Sequence, residues 1–461
     1  MYQRHQHIHF VGIGGIGMSG IAELLINLGH RVSGSDLKES DTTRRLAGLG
    51  AVVRLGHRAE QVAGADVVVV SSAVDQENPE VAAARERLIP VIPRAEMLAE
   101  LMRLKYGVAV AGAHGKTTTT SMLAQLLAAG GLDPTVVVGG KLGAMGTNAW
   151  LGKGDFLVAE ADESDGSFNR LSPVVVVVTN IDREHMDHYH TDEALDEAFV
   201  EFMNKVPFYG AAVICLDDTR LTGLIPRLKK RTITYGLTAQ ADFQAREVTA
   251  QGGGSSFGFH VRGRHLGTVS VPFPGLHYVR NTLGALAAAA EVGVDLPTAM
   301  AACAGFGGVG RRFERKGLGP AGALVLDDYA HHPTEIKATL EAARAAFPER
   351  RLVVCFQPHR YSRTRDLFEE FATAFYGADE LLVLDIYAAS EKPDPEVSAE
   401  KLAEAIRAHG HRRVEYLGSA EAAAQRLAGL LEPTDVLFTL GAGDVWRLGE
   451  KLIAPELEGE R

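Results

Sequence analysis

Residues 174–179 read Val-Val-Val-Val-Val-Thr, six β-branched residues in succession. No position in that run can face water with a charged or amide side chain. A strand of this kind is stable only with both faces covered, the place of a central strand in a parallel sheet flanked by helices. The rest of the sequence alternates in the same sense. Between residues 7 and 105, strand-like runs at 8–13, 31–35 and 66–71 alternate with helical stretches at 18–28 and 79–87. A second pattern opens with a strand at 107–111 and a helix at 117–129. A third starts near 317, with strands at 323–327, 351–356, 380–385 and 435–440. A chain of 461 residues is too long for one core and predicts about three domains. The expectation is three consecutive α/β domains at 1–105, 106–316 and 317–461. Short alternating runs with many glycines at 230–272 predict a small antiparallel insertion in the second.

Composition limits the partners. Lys and Arg number 47 against 58 Asp and Glu, a net charge of −11, which makes nucleic acid and anionic membrane poor partners. Three widely spaced cysteines without a C-x-x-C pair argue against a disulfide framework or zinc site and suit a reducing cytoplasm. No uncharged apolar run reaches the roughly 18 residues a membrane span needs. The first residues lead into a strand, not a signal-peptide core.

Two strand–glycine–helix junctions carry the first chemical signals. Gly12-x-Gly14-Gly15-x-Gly17 follows the first strand, and Asp36 ends the second. Glycines here allow a diphosphate to approach the backbone at a helix N-terminus, and the acid is placed for a ribose hydroxyl. This is a Rossmann-like fingerprint. Alone it suits NAD and does not say which diphosphate is bound. The second junction, Gly112-Ala-His114-Gly115-Lys116-Thr117-Thr118, ends as a phosphate-binding loop does. Lys116 is placed for β/γ-phosphate charge and Thr117 for Mg²⁺. Two residues separate its glycines instead of four. Four consecutive threonines sacrifice helix propensity unless a hydroxyl is needed there. The second domain is therefore expected to be P-loop ATPase-like.

Acidic and basic clusters follow other strands. Glu160-Ala-Asp162-Glu163-Ser-Asp165 ends an apolar run and suits Mg²⁺, a hard, oxygen-seeking ion. His185, His188 and His190 lie among acids after residue 179. They could suggest a transition metal, but beside a phosphate loop one histidine on Mg²⁺ with the others solvated fits better. Arg311-Arg312 after a glycine turn suits phosphate recognition or a salt bridge. Asp327-Asp328-Tyr329-Ala-His331-His332-Pro333 and Gln357-Pro-His359-Arg360-Tyr-Ser-Arg363 leave strands at their carboxyl ends, where open α/β sheets bind ligands.

Together these segments resemble the Mur ligases of peptidoglycan synthesis, over essentially the whole chain. The most specific pieces are His9–Ser19, Gly112–Thr118, Glu160–Asp165, Asp327–Glu335 and Pro358–Thr364. Several point to the member that adds L-alanine to UDP-N-acetylmuramate. The resemblance implies an ATP- and Mg²⁺-dependent amide ligase whose first domain holds UDP-sugar, not NAD. Its third domain is then Rossmann-like and receives the amino acid. By motif, Gly112, His114, Gly115, Lys116, Thr117 and Thr118 would serve ATP, as would His277, Asn281, Arg312 and Asp328. Thr117, Glu160 and His185 match metal ligands, and Lys116, His185, Arg312 and Asp328 match catalytic positions. Gly12, Gly14, Gly15, Gly17, Asp36, Ser71, Ser72, Asp162 and Glu163 fall in the UDP-sugar region. Tyr329, His331, Arg360 and Arg363 fall where alanine is received. The expected assembly is a monomer or weak homodimer.

One departure stands out. Where the family has Gly-x-His-Asn-x-x-Asn, this chain has Gly275-Leu-His277-Tyr278-Val-Arg-Asn281. Tyrosine lacks the paired donor and acceptor with which an amide reads adenine, so weaker discrimination of ATP from GTP is expected. Three other readings stay open: an NAD-dependent oxidoreductase, a related ligase that recycles murein tripeptide, and a non-catalytic nucleotide-binding module.

Overall fold

The computed structural model describes residues 5–71, 74–138, 149–251, 253–389 and 391–453; Ser72 lies outside them. The chain divides into two compact units, Met1–Glu247 with Phe257–Val269 and Arg280–Gly307, and Val248–Ser256 with Ser270–Val279 and Gly308–Arg461.

The first unit opens with a five-stranded parallel sheet in the order Val52–Leu55, Arg31–Asp36, His7–Val11, Val67–Val70, Val91–Pro93. Successive strands build outward in both directions from His7–Val11. The carboxyl ends of His7–Val11 and Val67–Val70 therefore flank a crevice at the switch point. The first glycine loop leaves one of these strands and Ser71 follows the other.

The second sheet has ten strands, and Val175–Val178 sits inside it, parallel to Tyr106–Ala111 on one side and Ala211–Cys215 on the other. Its four valines are fully buried, as the unbroken apolar run requires. Phe156–Glu160 pairs in parallel with the far edge of Tyr106–Ala111. Three parallel neighbours thus end at one edge of the sheet, and their loops carry the phosphate motif, the acidic motif and the histidine motif.

The antiparallel insertion expected at 230–272 lies at the edge of this sheet and occupies part of that span. Thr232–Gly236 lies parallel to Ala211–Cys215, and Phe243–Gln251 joins it in parallel through Tyr235 and Gly236. Gly254–Val261 and Arg264–Val271 continue the same sheet at its edge. The last two are joined by only two residues, a connection that antiparallel neighbours alone can make.

In the second unit a six-stranded sheet runs Glu314–Leu318, Leu324–Asp328, Val436–Leu440, Leu352–Phe356, Glu380–Leu384, Val414–Gly418. The first is antiparallel and the rest are parallel. Phe356, Phe371, Phe375 and Phe438 form the centre of its core. The helices Tyr361–Asp366 and Phe368–Ala372 are separate because Leu367, at φ −117° and ψ 25°, leaves the helical region. A helix runs from Leu276 to Glu291. Gly275, at φ +106°, makes the turn into it, and a Cβ there would stand 2.7 Å from Ala342. All three cysteines are buried thiols. No helix among the described residues is long and apolar enough to cross a membrane.

Gly34 shows how tightly the first sheet meets its glycine loop. A Cβ on it would lie 2.7 Å from both the Ile13 side chain and the Phe10 carbonyl oxygen. The carbonyl belongs to the central strand and cannot retreat. Gly34→Ala is expected to destabilise the protein by about 1–3 kcal/mol, the usual cost of overpacking. An unchanged urea midpoint would show that the sheet can open at this position.

Candidate active site

The phosphate motif occupies a tight loop between Tyr106–Ala111 and the helix Lys116–Ala129. Gly115 is left-handed at φ +81°, and its missing Cβ would stand 2.5 Å from the Asn281 side-chain oxygen. Asn281, expected at adenine, is packed on the phosphate loop. Asn180 staples the loop from the other side, accepting from the His114 backbone N–H at 2.8 Å and donating to the His114 carbonyl at 2.9 Å. The His114 ring reaches Asp182 at 3.0 Å.

Lys116 donates to the carbonyls of Gly112 at 2.6 Å and Ala113 at 3.1 Å, and to Glu163 at 2.8 Å. Burial alone would favour its neutral form, but Glu163 and Glu160 keep the ammonium charged. Burial raises Glu163 in turn, with Lys116 opposing it. The Thr117 hydroxyl donates to Glu160, at 3.1 and 3.0 Å from its two oxygens. That accounts for one of the four threonines. Thr120 bonds back to the Lys116 carbonyl at 2.8 Å, and the Thr119 hydroxyl is buried without a partner.

Around Glu163 the structure assembles a donor set. Glu163, Glu184 and His185 each offer an atom within 4.8 Å of the others, and one Glu163 oxygen is buried with no hydrogen-bond partner. His185 sits in a left-handed conformation at φ 58°, a strained geometry for a non-glycine residue that costs of order 1–3 kcal/mol. His188 and His190 are exposed. Carboxylates with one imidazole suit a hard divalent ion, so the residues present fit Mg²⁺.

At the first glycine loop, Asp36 accepts from the Gly14 backbone N–H at 2.9 Å, and the Ser35 carbonyl accepts from Gly12 and Ile13, both at 2.9 Å. Gly15 precedes the helix Ile16–Asn27. A Cβ on Gly17 would lie 2.7 Å from the Arg94 guanidinium, which also donates to Asp162 at 2.9 Å. Burial works against a charged Asp162, but Arg94 and Lys116 hold its pKa below the ordinary value. Arg94 belongs to no motif, and its position beside both loops was missed in the sequence.

The second unit holds its own cluster. Asp328 ends a strand and accepts from the backbone of Phe313 at 2.7 Å and Ala330 at 2.8 Å. Burial pushes its pKa up to about 6, against the pull of Arg312. Arg311 and Arg312 both lie over the Tyr329 ring, at 5.0 and 4.9 Å, and Arg312 is 3.7 Å from Glu335. The two arginines differ in use. Arg311 is tied down, by Asp327 at 2.9 Å and by the Gly441 and Gly443 carbonyls at 2.5 and 3.1 Å. His331 meets Glu335 at 3.2 Å and faces the His359 ring at 5.8 Å. Arg363 points a guanidinium nitrogen at the His359 ring at 3.2 Å, and Tyr387 stacks on its face at 5.6 Å. Arg360 is left-handed at φ 70°, and its Nε is buried without a partner. His277 half-covers the adjoining Tyr278 ring at 4.7 Å. Tyr387 and Glu335 were also missed as site neighbours. Glu335 was recoverable from its motif, whereas nothing in the sequence marks Tyr387.

Tyr278 is buried. Its side chain is 3% exposed, and its hydroxyl donates to the Arg312 carbonyl at 3.0 Å. The side chain that stands where the family has its amide is therefore committed to the Arg312 turn.

Comparison with known proteins adds independent findings. Residues 7–106 match the Mur ligase family, catalytic domain; 110–289 match the Mur ligase middle domain; and 311–443 match the Mur ligase, glutamate ligase domain. The UDP-N-acetylmuramate–L-alanine ligase of Geobacter sulfurreducens is 58% identical over 455 residues, 98% of each chain. That of Desulfatibacillum aliphaticivorans is 59% identical over 454 residues, covering 98% of this chain and 99% of its own. Among solved structures, the UDP-N-acetylmuramate–alanine ligase of Thermotoga maritima aligns with a TM-score of 0.82 at 28% identity, over 97% of this chain and 98% of that one. A murein peptide ligase from Psychrobacter arcticus aligns at 0.72 and 25% identity over the same shares.

His359 gives a pH prediction. Burial, followed by His331 and Arg363, lowers its pKa from 6.5 to about 3. The unfolded chain therefore takes up the proton first. The contribution to stability is complete above about pH 6.5 and is lost as the pH falls towards 3. Thermal melts between pH 7.5 and 4.5 are expected to show a shallower acid decline in His359→Gln than in the wild type. His411, lowered in the same direction by burial, contributes equally to both proteins. Parallel declines would show that His359 is not held neutral.

Proposed function

The chain belongs to the Mur ligase family, and from that premise we propose that it joins L-alanine to the lactyl carboxylate of UDP-N-acetylmuramate at the expense of ATP. The observation that carries this reading is the near-full-length identity of 58–59% with alanine ligases. It coincides with a lysine phosphate loop in the first unit and a His/Arg cluster in the second. An NAD-dependent oxidoreductase leaves Lys116 and Glu160 without a role. A non-catalytic module leaves the charged Lys116–Glu163 pair unexplained.

The chemistry follows from the weakness of a carboxylate as an electrophile. Transfer of the γ-phosphoryl group of ATP to the lactyl carboxylate gives an acyl phosphate and ADP. The amine of L-alanine then adds to the acyl carbon, and phosphate leaves from the tetrahedral intermediate as the amide forms. The protein positions the reactants and neutralises charge. Lys116 is a fixed cation already held against the loop carbonyls. When phosphate oxygens compete for it, Glu163 is released towards Glu184 and His185. Thr117, Glu160 and His185, with Glu163 beside them, would hold Mg²⁺. The ion would supply charge neutralisation at the phosphoryl oxygens. Arg94, beside Gly17, offers a cation to the diphosphate of UDP-sugar, and Asp36 keeps the glycine loop in shape. Arg312 and Asp328 serve the nucleotide, Arg312 by offering a cation to its phosphates and Asp328 by holding the turn that carries Arg312. Tyr329, His331, Arg360 and Arg363 receive the amino acid, with Arg363 offering a planar fork to its carboxylate. Buried free thiols suit the cytoplasm, where we place the enzyme as a monomer or weak homodimer.

The deciding assay is phosphate release with ATP and UDP-N-acetylmuramate, comparing L-alanine, glycine, L-serine and murein tripeptide. Turnover with L-alanine well above the others is expected. Preference for the tripeptide would transfer the protein to the recycling reaction. Lys116→Ala is expected to lower phosphate release by roughly 10²–10³-fold while UDP-sugar affinity holds. Loss of UDP-sugar binding with intact ATP binding would reverse the assignment of the two loops. Arg363→Lys should raise the KM for L-alanine well above any change for ATP, and equal rises would place that arginine elsewhere.

A further inference from the structure

The turn that carries Arg312 is strained. Arg311 at φ 61° and Phe313 at φ 50° are both left-handed, so two non-glycine residues in three sit where side chains are disfavoured. Such a turn persists only where several contacts fix it. Its own neighbourhood supplies four. Arg312 N–H donates to the Val309 carbonyl at 3.2 Å, Tyr329 N–H to the Arg311 carbonyl at 2.7 Å, Arg311 N–H to Glu314 at 2.6 Å, and Phe313 N–H to Asp328 at 2.7 Å. The fifth comes from a remote segment and lands on Arg312 itself: the Tyr278 hydroxyl donates to its carbonyl at 3.0 Å.

The tyrosine is held to that task. Its ring stacks on Phe273 at 4.8 Å with 17° between planes, and it shares a core with Phe313 and Ala330. Gly275 sets the turn just before it. Burial, with Asp328 nearby, keeps the phenol protonated and hence a donor. The carbonyl it grips and the guanidinium over Tyr329 belong to one residue, so fixing the peptide fixes the direction in which the guanidinium leaves the turn. An asparagine at 278 is too short to make this contact from the same backbone position.

We propose that Tyr278 is a positioning residue of the ligase reaction, aiming Arg312 by holding its carbonyl, in place of the base-reading role that an asparagine would have there. The inference rests on Arg312 handling the nucleotide phosphates. Misplacement of such a group by about 1 Å can cost as much as 100-fold in rate. Tyr278→Phe, which removes only the hydroxyl, is therefore expected to lower kcat roughly tenfold. The KM for UDP-N-acetylmuramate and the ATP/GTP preference should stay as in the wild type.

A double-mutant cycle separates positioning from general damage. In an Arg312→Lys background, already impaired, Tyr278→Phe should cause little further loss, below about twofold. In an Arg363→Lys background at saturating L-alanine it should cause its full tenfold loss. Full loss in both backgrounds would overturn the proposal, because the hydroxyl would then act other than through Arg312. Wild-type kcat in Arg312→Lys alone would overturn the reading of Arg312 and the proposal with it. A change in ATP/GTP preference in Tyr278→Phe would also overturn it, in favour of base reading. Replacement of Tyr278 by 4-aminophenylalanine, which keeps a donor at the ring tip, should restore kcat to within about threefold. This replacement carries the test should Tyr278→Phe not fold. A loss equal to that of Arg312→Lys would count against the hydrogen bond.

Discussion

An all-apolar strand covered on both faces has no room for polar chemistry along its length, and a parallel sheet points every strand's carboxyl end the same way. Val175–Val178 is the extreme instance: fully buried, with a parallel strand on each side. Polar side chains that the sheet cannot hold are displaced to the loops at its ends. Because Tyr106–Ala111, Phe156–Glu160 and Val175–Val178 run together, the loops after them meet. Lys116, Glu160, Glu163 and His185 are distant in sequence and neighbours in space for that reason alone. The five-stranded sheet repeats the logic at Gly12–Gly17, as does the six-stranded sheet at Asp328 and His359.

Concentrating charge at buried strand ends creates an electrostatic problem that the site solves by pairing. A buried ammonium is costly unless compensated, and an unpaired buried carboxylate is costlier still. Lys116 meets two carbonyls and Glu163, whose second oxygen is left without a partner. The pair is therefore balanced in net charge but incomplete in hydrogen bonding. On the proposed reading, a triphosphate on the lysine and a cation on the glutamate would each replace one counter-charge with a stronger one. Asp162 and Arg94 extend the alternation of charge towards Gly17. The acidic motif thus belongs to both glycine loops of the first unit.

What the sequence disclosed and what it hid divide along a physical line. Features fixed by local rules were legible. β-branched runs became strands, glycines before helices became loops, and the Thr117 hydroxyl found a carboxylate. Element boundaries and the edge sheet were less legible. Local propensity does not register that Ala342 stands against Gly275, or that strands at 243–271 have a free edge to join. Hidden entirely were contacts between segments far apart in the chain: Arg94 against Gly17, Tyr387 on His359, Asn281 against Gly115. None of these lies in a motif that describes its partner. Tyr278 was visible as a departure, but its meaning depended on where its hydroxyl points, which no spacing rule supplies.

Strain at the functional turns completes the physical account. His185, Arg311, Phe313 and Arg360 are all left-handed without being glycine. At order 1–3 kcal/mol each, their joint cost is comparable to much of a domain's net stability. Glycine would relieve it, yet at His185, Arg311 and Arg360 it would delete an imidazole or guanidinium, at Arg311 one bonded to Asp327 and two glycine carbonyls. At Phe313 it would delete a core ring stacked beside Phe347. The sequence therefore keeps the side chain and leaves the surrounding hydrogen bonds to hold the backbone. Asp328 is spent in this way: it accepts from the backbone N–H of both Phe313 and Ala330 even though burial raises its pKa to about 6. A carboxylate placed only to counter a nearby arginine would face it directly. Asp328 turns both oxygens to the main chain, so its first effect on Arg312 is through the shape of the turn, and charge is the second.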